Sequence, residues 1–101
     1  MSIIKRDGSV VPFLNEKITA AVCKAFSATG EIHITELNAV SMEISKEVVR
    51  QIQIYYSAPV DIEDVQNEVE SALMRAGYEK TAKAYILYRA ERERDKNSRL
   101  M

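Results

Sequence analysis

Ile3-Ile4-Lys5-Arg6-Asp7-Gly8-Ser9-Val10-Val11-Pro12-Phe13-Leu14-Asn15-Glu16-Lys17-Ile18 is the stretch whose reading decides the fold. It reads as a short strand, a tight turn at Asp7-Gly8, a second short strand and the first turn of a helix. Asp-Gly between two β-prone runs is a strong hairpin signal. A two-residue type I′ turn needs positive φ at both central positions, which Asp and Gly tolerate best. The cations are placed unusually. Lys5 and Arg6 end the first strand, and Lys17 lies in the first helical turn, where unpaired N–H groups and the helix dipole already make the surroundings positive. An anion nearby would make that lysine easier to accommodate, and helix N-termini bind phosphate. The chemistry of this corner points to a polyphosphate site.

Working outward, the hairpin is expected over Ser2 to Arg6 and Ser9 to Phe13. Two strands are marginal alone, so this pair must lie against helices, with Ile3, Ile4, Val10, Val11 and Phe13 supplying apolar faces. Pro12 cannot donate to a ladder, which suits an edge. Asn15 is the expected N-cap of a first helix running to about Thr29, with Ile18, Val22, Ala25 and Phe26 inward and Gly30 closing it. After a connection at Glu31 to Ile34, Thr35 is expected to cap a second helix. Its stripe is Leu37, Val40, Ile44, Val48 and Ile52, and it stops near Tyr55, before Pro59. Asp61 opens a third helix with Ile62, Val65, Val69 and Leu73 inward, and Gly77 ends it. A fourth helix takes Glu79 to about Asp95, with Ala82, Tyr85, Ile86 and Leu87 packed. The charged tail is expected to fray or lead toward a further domain. The fold class is α+β and mostly helical, an N-terminal β-hairpin on four helices. Residues 1–95 form the domain and 96–101 the charged tail.

A chain of 101 residues is one domain with room for a modest core. Its 14 basic and 15 acidic side chains nearly cancel, so an anion site must be local and nucleic acid is not an expected partner. The single Cys23 excludes an intramolecular disulfide and cannot alone hold structural zinc; a small buried hydrophobe is its expected role. No apolar stretch could span a membrane and no secretory segment opens the chain, so a cytoplasmic protein is expected. There is no Walker-type glycine-rich loop, and no motif pairs a nucleophile with a base. His33 has no Cys or second His near it and is expected to be simply exposed. The chain reads as a binder without catalytic residues or protein-held metal.

Lys5-Arg6-Asp7-Gly8, Pro12-Phe13 and Glu16-Lys17-Ile18 resemble the opening motif of the ATP-cone, the small regulatory nucleotide-binding domain at the N-terminus of many ribonucleotide reductases. Gly77-Tyr78 and Ala82-Lys83-Ala84-Tyr85-Ile86-Leu87-Tyr88-Arg89 resemble its closing helix, so the similarity covers nearly the whole chain. It implies ATP or dATP as allosteric ligand, with Mg²⁺ arriving on the phosphates. It implies that Lys5 and Lys17 lie by those phosphates, with Arg6 contacting phosphate or bracing the turn. Ile3 and Ile18 match positions lining the base pocket, and Val11 stands where relatives carry a carboxylate. By type, Ile3, Val11, Leu14 and Ile18 suit an apolar slot for adenine, although each also suits a core. The third helix covers base and ribose in the family, which brings in Asp61, Val65 and Gln66. The Gln66 amide can read an adenine edge because it both donates and accepts. Ile62 replaces a small hydroxyl residue of some relatives. Arg89 and Arg92, three apart on the last helix, can close over phosphates; Lys83, Tyr85 and Tyr88 are better read as solvated or packed.

The closing run most resembles the anaerobic, ribonucleoside-triphosphate class. The expected partners are nucleotide, the catalytic domain of the same reductase and further copies of the chain. In this reading ATP leaves the enzyme active and dATP shuts it down, through nucleotide-dependent domain or oligomer contacts. The ending Arg99-Leu100-Met101, without a capping element, suggests a truncated chain. Two other readings stand beside it. One is the nucleotide-sensing domain of a reductase-gene transcriptional repressor, whose zinc ribbon would need paired cysteines. The other is a ligand-free helical interaction module.

Overall fold

In a computed structural model the backbone is described over residues 2–99 and the side-chain surroundings over residues 2–92. Strands β1 (Ser2–Ile4) and β2 (Val10–Pro12) pair antiparallel, Ile3 opposite Val11. The hairpin is shorter than expected, and its turn is of another kind. Gly8 N–H donates to the Lys5 carbonyl at 2.9 Å and Lys5 N–H to the Ser9 carbonyl at 2.8 Å. Within this turn only Gly8 takes positive φ, +86°. This is a three-residue connection with glycine in the left-handed position, so the expected two-residue type I′ turn at Asp7-Gly8 is corrected. Asp7 instead accepts from the backbone N–H of Ser9 at 2.9 Å and from its hydroxyl at 2.6 Å. That local bond gives the aspartate a role without left-handed strain. Lys5 and Arg6 consequently sit in the turn rather than ending a strand.

Helix α1 (Asn15–Thr29) follows, with Leu14 rather than Asn15 at its N-cap and no side-chain cap. Asn15 lies inside the first turn, where its carbonyl accepts from the Thr19 hydroxyl at 3.2 Å. Gly30 closes the helix in the left-handed conformation, its N–H bonding to Phe26. A 3₁₀ turn (Ile34–Glu36) then precedes helix α2 (Leu37–Tyr55). Thr35 lies within that turn and does not cap α2. His33, expected to be merely exposed, caps the turn: its Nδ1 accepts from Thr35 N–H at 3.3 Å and bonds its hydroxyl at 2.8 Å.

A strand invisible to the sequence reading, β3 (Val60–Asp61), adds parallel to β1 and gives the order β2-β1-β3. Pro12 therefore lies on an edge, as its missing N–H requires. Helix α3 (Ile62–Arg75) starts directly from β3, capped by Asp61, whose carboxylate accepts from Glu63 N–H at 3.1 Å. It ends at Gly77, φ +89°, where Gly77 and Tyr78 N–H return to Met74 and Leu73 carbonyls in a Schellman closure. Helix α4 (Glu79–Arg99) continues beyond the expected limit at Asp95. Residues 91–99 contain no Gly or Pro, so nothing in the sequence stops the helix there. Leu100 and Met101 lie outside the described residues.

Each helix packs on two neighbours, α1 on α2 and α4, α3 on α2 and α4. Val22, Phe26, Val48, Ile52, Val69 and Leu73 fill the centre, and Ile3 and Val60 bring the sheet into the same core. Phe26 meets Tyr78 edge-on at 5.0 Å. Four positions expected inside are elsewhere: Val10, Ile86 and Leu87 are largely exposed, and Cys23 is half-buried with its thiol 3.9 Å from Asn38 Oδ1. On α4 the inward face instead takes Thr81, Ala82 and Tyr85. A carboxylate from another loop anchors this face. Glu31 accepts from the N–H of Thr81 at 2.7 Å and from its hydroxyl at 2.6 Å, capping α4 from outside the helix. The Thr81 hydroxyl bond holds the Glu31 carboxyl below its usual range, against the opposing effect of burial.

Candidate nucleotide site

The hairpin, the start of α1 and the facing sides of α3 and α4 enclose a cavity of about 240 Å³. The hairpin turn must close tightly for Lys5 and Arg6 to reach it, and Gly8 permits that closure. On α1, Leu14, Lys17, Ile18 and Ala21 recur at helical spacing and present one face to the cavity. On α3, Ile62, Val65, Gln66 and Val69 do the same, and on α4 Tyr85, Tyr88, Arg89 and Arg92 complete the wall. All eleven residues expected at a nucleotide site line this cavity: Ile3, Lys5, Arg6, Val11, Leu14, Lys17, Ile18, Val65, Gln66, Arg89 and Arg92. Asp61 is not among the lining residues; it holds the start of α3. Lys83 is exposed and also lies away from the cavity.

The sequence reading assigned no cavity contact to Pro12, Phe13, Ala21 or Val69, and favoured packing for Tyr85 and Tyr88. Ile62, like Val69, is expected on the inward stripe of the third helix, and is also marked as a substitution within the family pattern. Five of these are apolar and carry the same pattern as core residues, so periodicity cannot mark them. The tyrosines were the available signal, because a phenol at the edge of an apolar wall offers both a ring and a donor. Burial pushes the Tyr85 phenol up to about 12, which keeps its proton in place near neutrality.

The interior of the cavity is apolar and its border cationic, with Lys5, Arg6, Lys17, Arg89 and Arg92 converging on one space. Three of the five are held by named partners. Arg6 Nη2 donates to Gln66 Oε1 at 3.1 Å, and its Nη1 lies 3.9 Å from the Glu63 carboxylate. Arg89 Nη1 donates to Asn67 Oδ1 at 3.1 Å and to the Glu70 carboxylate. Arg92 Nη1 donates to the Tyr88 hydroxyl at 3.2 Å, with its guanidinium 5.8 Å from the Tyr88 ring centre; Lys24 Nζ lies 5.6 Å from that ring. Positive charge beside an apolar slot suits a ligand with one flat apolar end and one polyanionic end. Among the described residues no group of three His, Cys, Asp or Glu side chains is arranged to hold a metal ion, and no helix is long and apolar enough to cross a membrane.

A model of the ATP cone domain matches residues 1–94. The "Ribonucleoside-diphosphate reductase subunit alpha" of Chlamydia pneumoniae is 38% identical over 93% of this chain and 9% of its own length. The "Anaerobic ribonucleoside-triphosphate reductase" of Salmonella typhimurium is 36% identical over 97% of this chain and 13% of its own length. The "Vitamin B12-dependent ribonucleoside-diphosphate reductase" of Thermoplasma acidophilum is 32% identical over 89% of this chain and 12% of its own length. The chain spans roughly a tenth of the length of these relatives. The match runs from the hairpin cations through the arginines of α4, and by it the chain belongs to the ATP-cone domain family.

Proposed function

We propose that the cavity binds ATP or dATP as an allosteric ligand, and that the chain is the regulatory nucleotide-binding domain of a ribonucleotide reductase. The observation that carries this reading is the convergence of five cations on one apolar cavity in a member of the ATP-cone family. The base enters between Ile3, Val11, Leu14, Ile18 and Val65, with the Gln66 amide at its edge. The phosphates lie toward Lys5, Arg6, Lys17, Arg89 and Arg92, and Mg²⁺ arrives with them, held by phosphate oxygens and water rather than by a protein cage. The start of α1 adds favourable partial charge, because no side chain caps it.

The domain performs no chemistry itself. Its output is a change of contacts with the catalytic region of the same cytoplasmic reductase, or with a second copy of the chain. Such an output requires the ligand to bind two arrangements of the protein with different affinity. The closing run Lys83-Ala84-Tyr85-Ile86-Leu87-Tyr88-Arg89 favours the anaerobic, triphosphate-reducing class for the parent enzyme, while relatives from diphosphate and triphosphate reductases match at 38% and 36%.

Calorimetric titration of the chain with ATP and with dATP, Mg²⁺ present, tests the binding, and light scattering on the same samples follows the mass. Saturable binding with a nucleotide-specific change of mass is the expected outcome. Flat titrations of folded protein would favour the ligand-free interaction module.

A further inference from the structure

Glu63, Gln66, Asn67 and Glu70 fall at i, i+3, i+4 and i+7 along α3 and form one polar stripe. The stripe engages two arginines from different parts of the chain. Its N-terminal half takes Arg6 from the hairpin turn, and its C-terminal half takes Arg89 from α4. The two halves differ in strength. Glu63 is 59% exposed and 3.9 Å from Arg6, a separation and exposure that make the pair weak. Arg89 and Glu70 are only 18% and 22% exposed, and Asn67 supplies a second acceptor.

The bonds to Arg89 are one-sided. Both acceptors take hydrogens of Nη1, which leaves the edge formed by Nε and Nη2 unused by either. That edge carries the parallel N–H pair with which a guanidinium grips a phosphate in bidentate fashion. A tether through one nitrogen fixes the plane of the group and removes much of the rotamer freedom a long side chain would otherwise lose on binding.

We infer that Asn67 and Glu70 are positioning residues that hold the Arg89 guanidinium ready for a phosphate group of the ligand. This rests on the nucleotide-binding reading above and assigns to α3 a function that its apolar contacts with the base do not supply. The same bonds join α3 to α4 across the cavity, so engagement of Arg89 by phosphate is felt at α3 directly.

The test compares the wild-type chain with Glu70→Gln, Asn67→Ala, Arg89→Lys and the Glu70→Gln/Arg89→Lys double variant. ATP and inorganic triphosphate are titrated calorimetrically, and melting temperatures are recorded alongside. Glu70→Gln is expected to weaken ATP and triphosphate binding by the same factor, about tenfold for a lost charge-assisted orientation. Asn67→Ala should give a smaller loss in the same direction. The double variant should bind no more weakly than Arg89→Lys alone, because the carboxylate acts only through the arginine. An unchanged or higher ATP affinity in Glu70→Gln would overturn the inference, a higher one meaning that Glu70 competes with phosphate. A loss for ATP without loss for triphosphate would overturn it as well, leaving Glu70 a general packing residue. If wild type binds neither ATP nor triphosphate, the nucleotide reading itself fails; binding by wild type with an indifferent Glu70→Gln defeats the positioning role alone.

Discussion

Arg6 Nη2 and Gln66 Oε1, sixty positions apart in sequence, are joined by a hydrogen bond of 3.1 Å that ties the hairpin turn to α3. The bond crosses between two walls of the cavity. Gln66→Ala therefore releases Arg6 from one of its partners. Because this contact is exposed, stability should fall by less than about 1 kcal/mol, while ATP affinity falls several-fold. Chemical denaturation and calorimetry on the same variant separate the two effects.

Lys5 and Lys17 reach the cavity from the turn and from the first turn of α1. Replacing either with alanine should weaken ATP binding about tenfold, the size of a charge-assisted contact with phosphate. Both side chains are exposed, so the melting temperature should scarcely move. Their affinity losses should also shrink at high salt, because screening already weakens the wild-type attraction.

Asp61 accepts from Glu63 N–H and is the only side-chain cap described for α3. Asp61→Ala should cost about 1 kcal/mol of stability. Asp61→Asn, which keeps an acceptor oxygen, should recover most of it in urea denaturation.

Phe26 is 1% exposed and packs edge-on against Tyr78. Phe26→Ala should destabilise the domain by about 3–5 kcal/mol, since it removes a fully buried ring from the core where α1 meets Tyr78. Thermal unfolding followed by circular dichroism measures it.

Glu31 holds the start of α4, and its carboxyl lies below the usual range because the Thr81 hydroxyl bonds the charged form. A carboxyl depressed in the folded state contributes stability fully above its unfolded pKa. That contribution is lost as pH falls through the folded value. The stability gap between wild type and Glu31→Gln should therefore be constant near neutrality and narrow below about pH 4. Urea denaturation at a series of pH values would show it.

Much of this architecture is legible in particular residues. The stripe Ile18, Val22, Ala25 and Phe26, the left-handed Gly30 and Gly77, and the cap at Asp61 each follow from local physics, which sequence carries directly. Among the residues lining the cavity, Lys17 stands out in sequence because a helix start disfavours its charge, and Lys5 and Arg6 because they cluster at the neighbouring turn. What escaped depends in part on partners distant in sequence and in part on local bonds that residue type does not announce. β3 is two residues long and exists only by pairing parallel with β1, so no alternation announces it. The turn at Gly8 is decided by the bond that Asp7 makes to Ser9, which favours a three-residue loop over type I′. Asn15 yielded the cap position to Leu14, which holds the last extended backbone conformation (φ −118°, ψ 111°) before the helix. Ile86 and Leu87 are apolar on the outer side of α4, and their exposure depends on which face Thr81 and Tyr85 bury.

The most direct measurement is an ATP titration of the isotopically labelled chain followed by backbone amide shifts. The account predicts saturating shifts at Ile3 to Ile18, at Val65 to Val69 and at Tyr85 to Arg92, with His33 and its neighbours unmoved. Shifts absent throughout, or centred away from the cavity on the turn around His33 or the middle of α2, would contradict it.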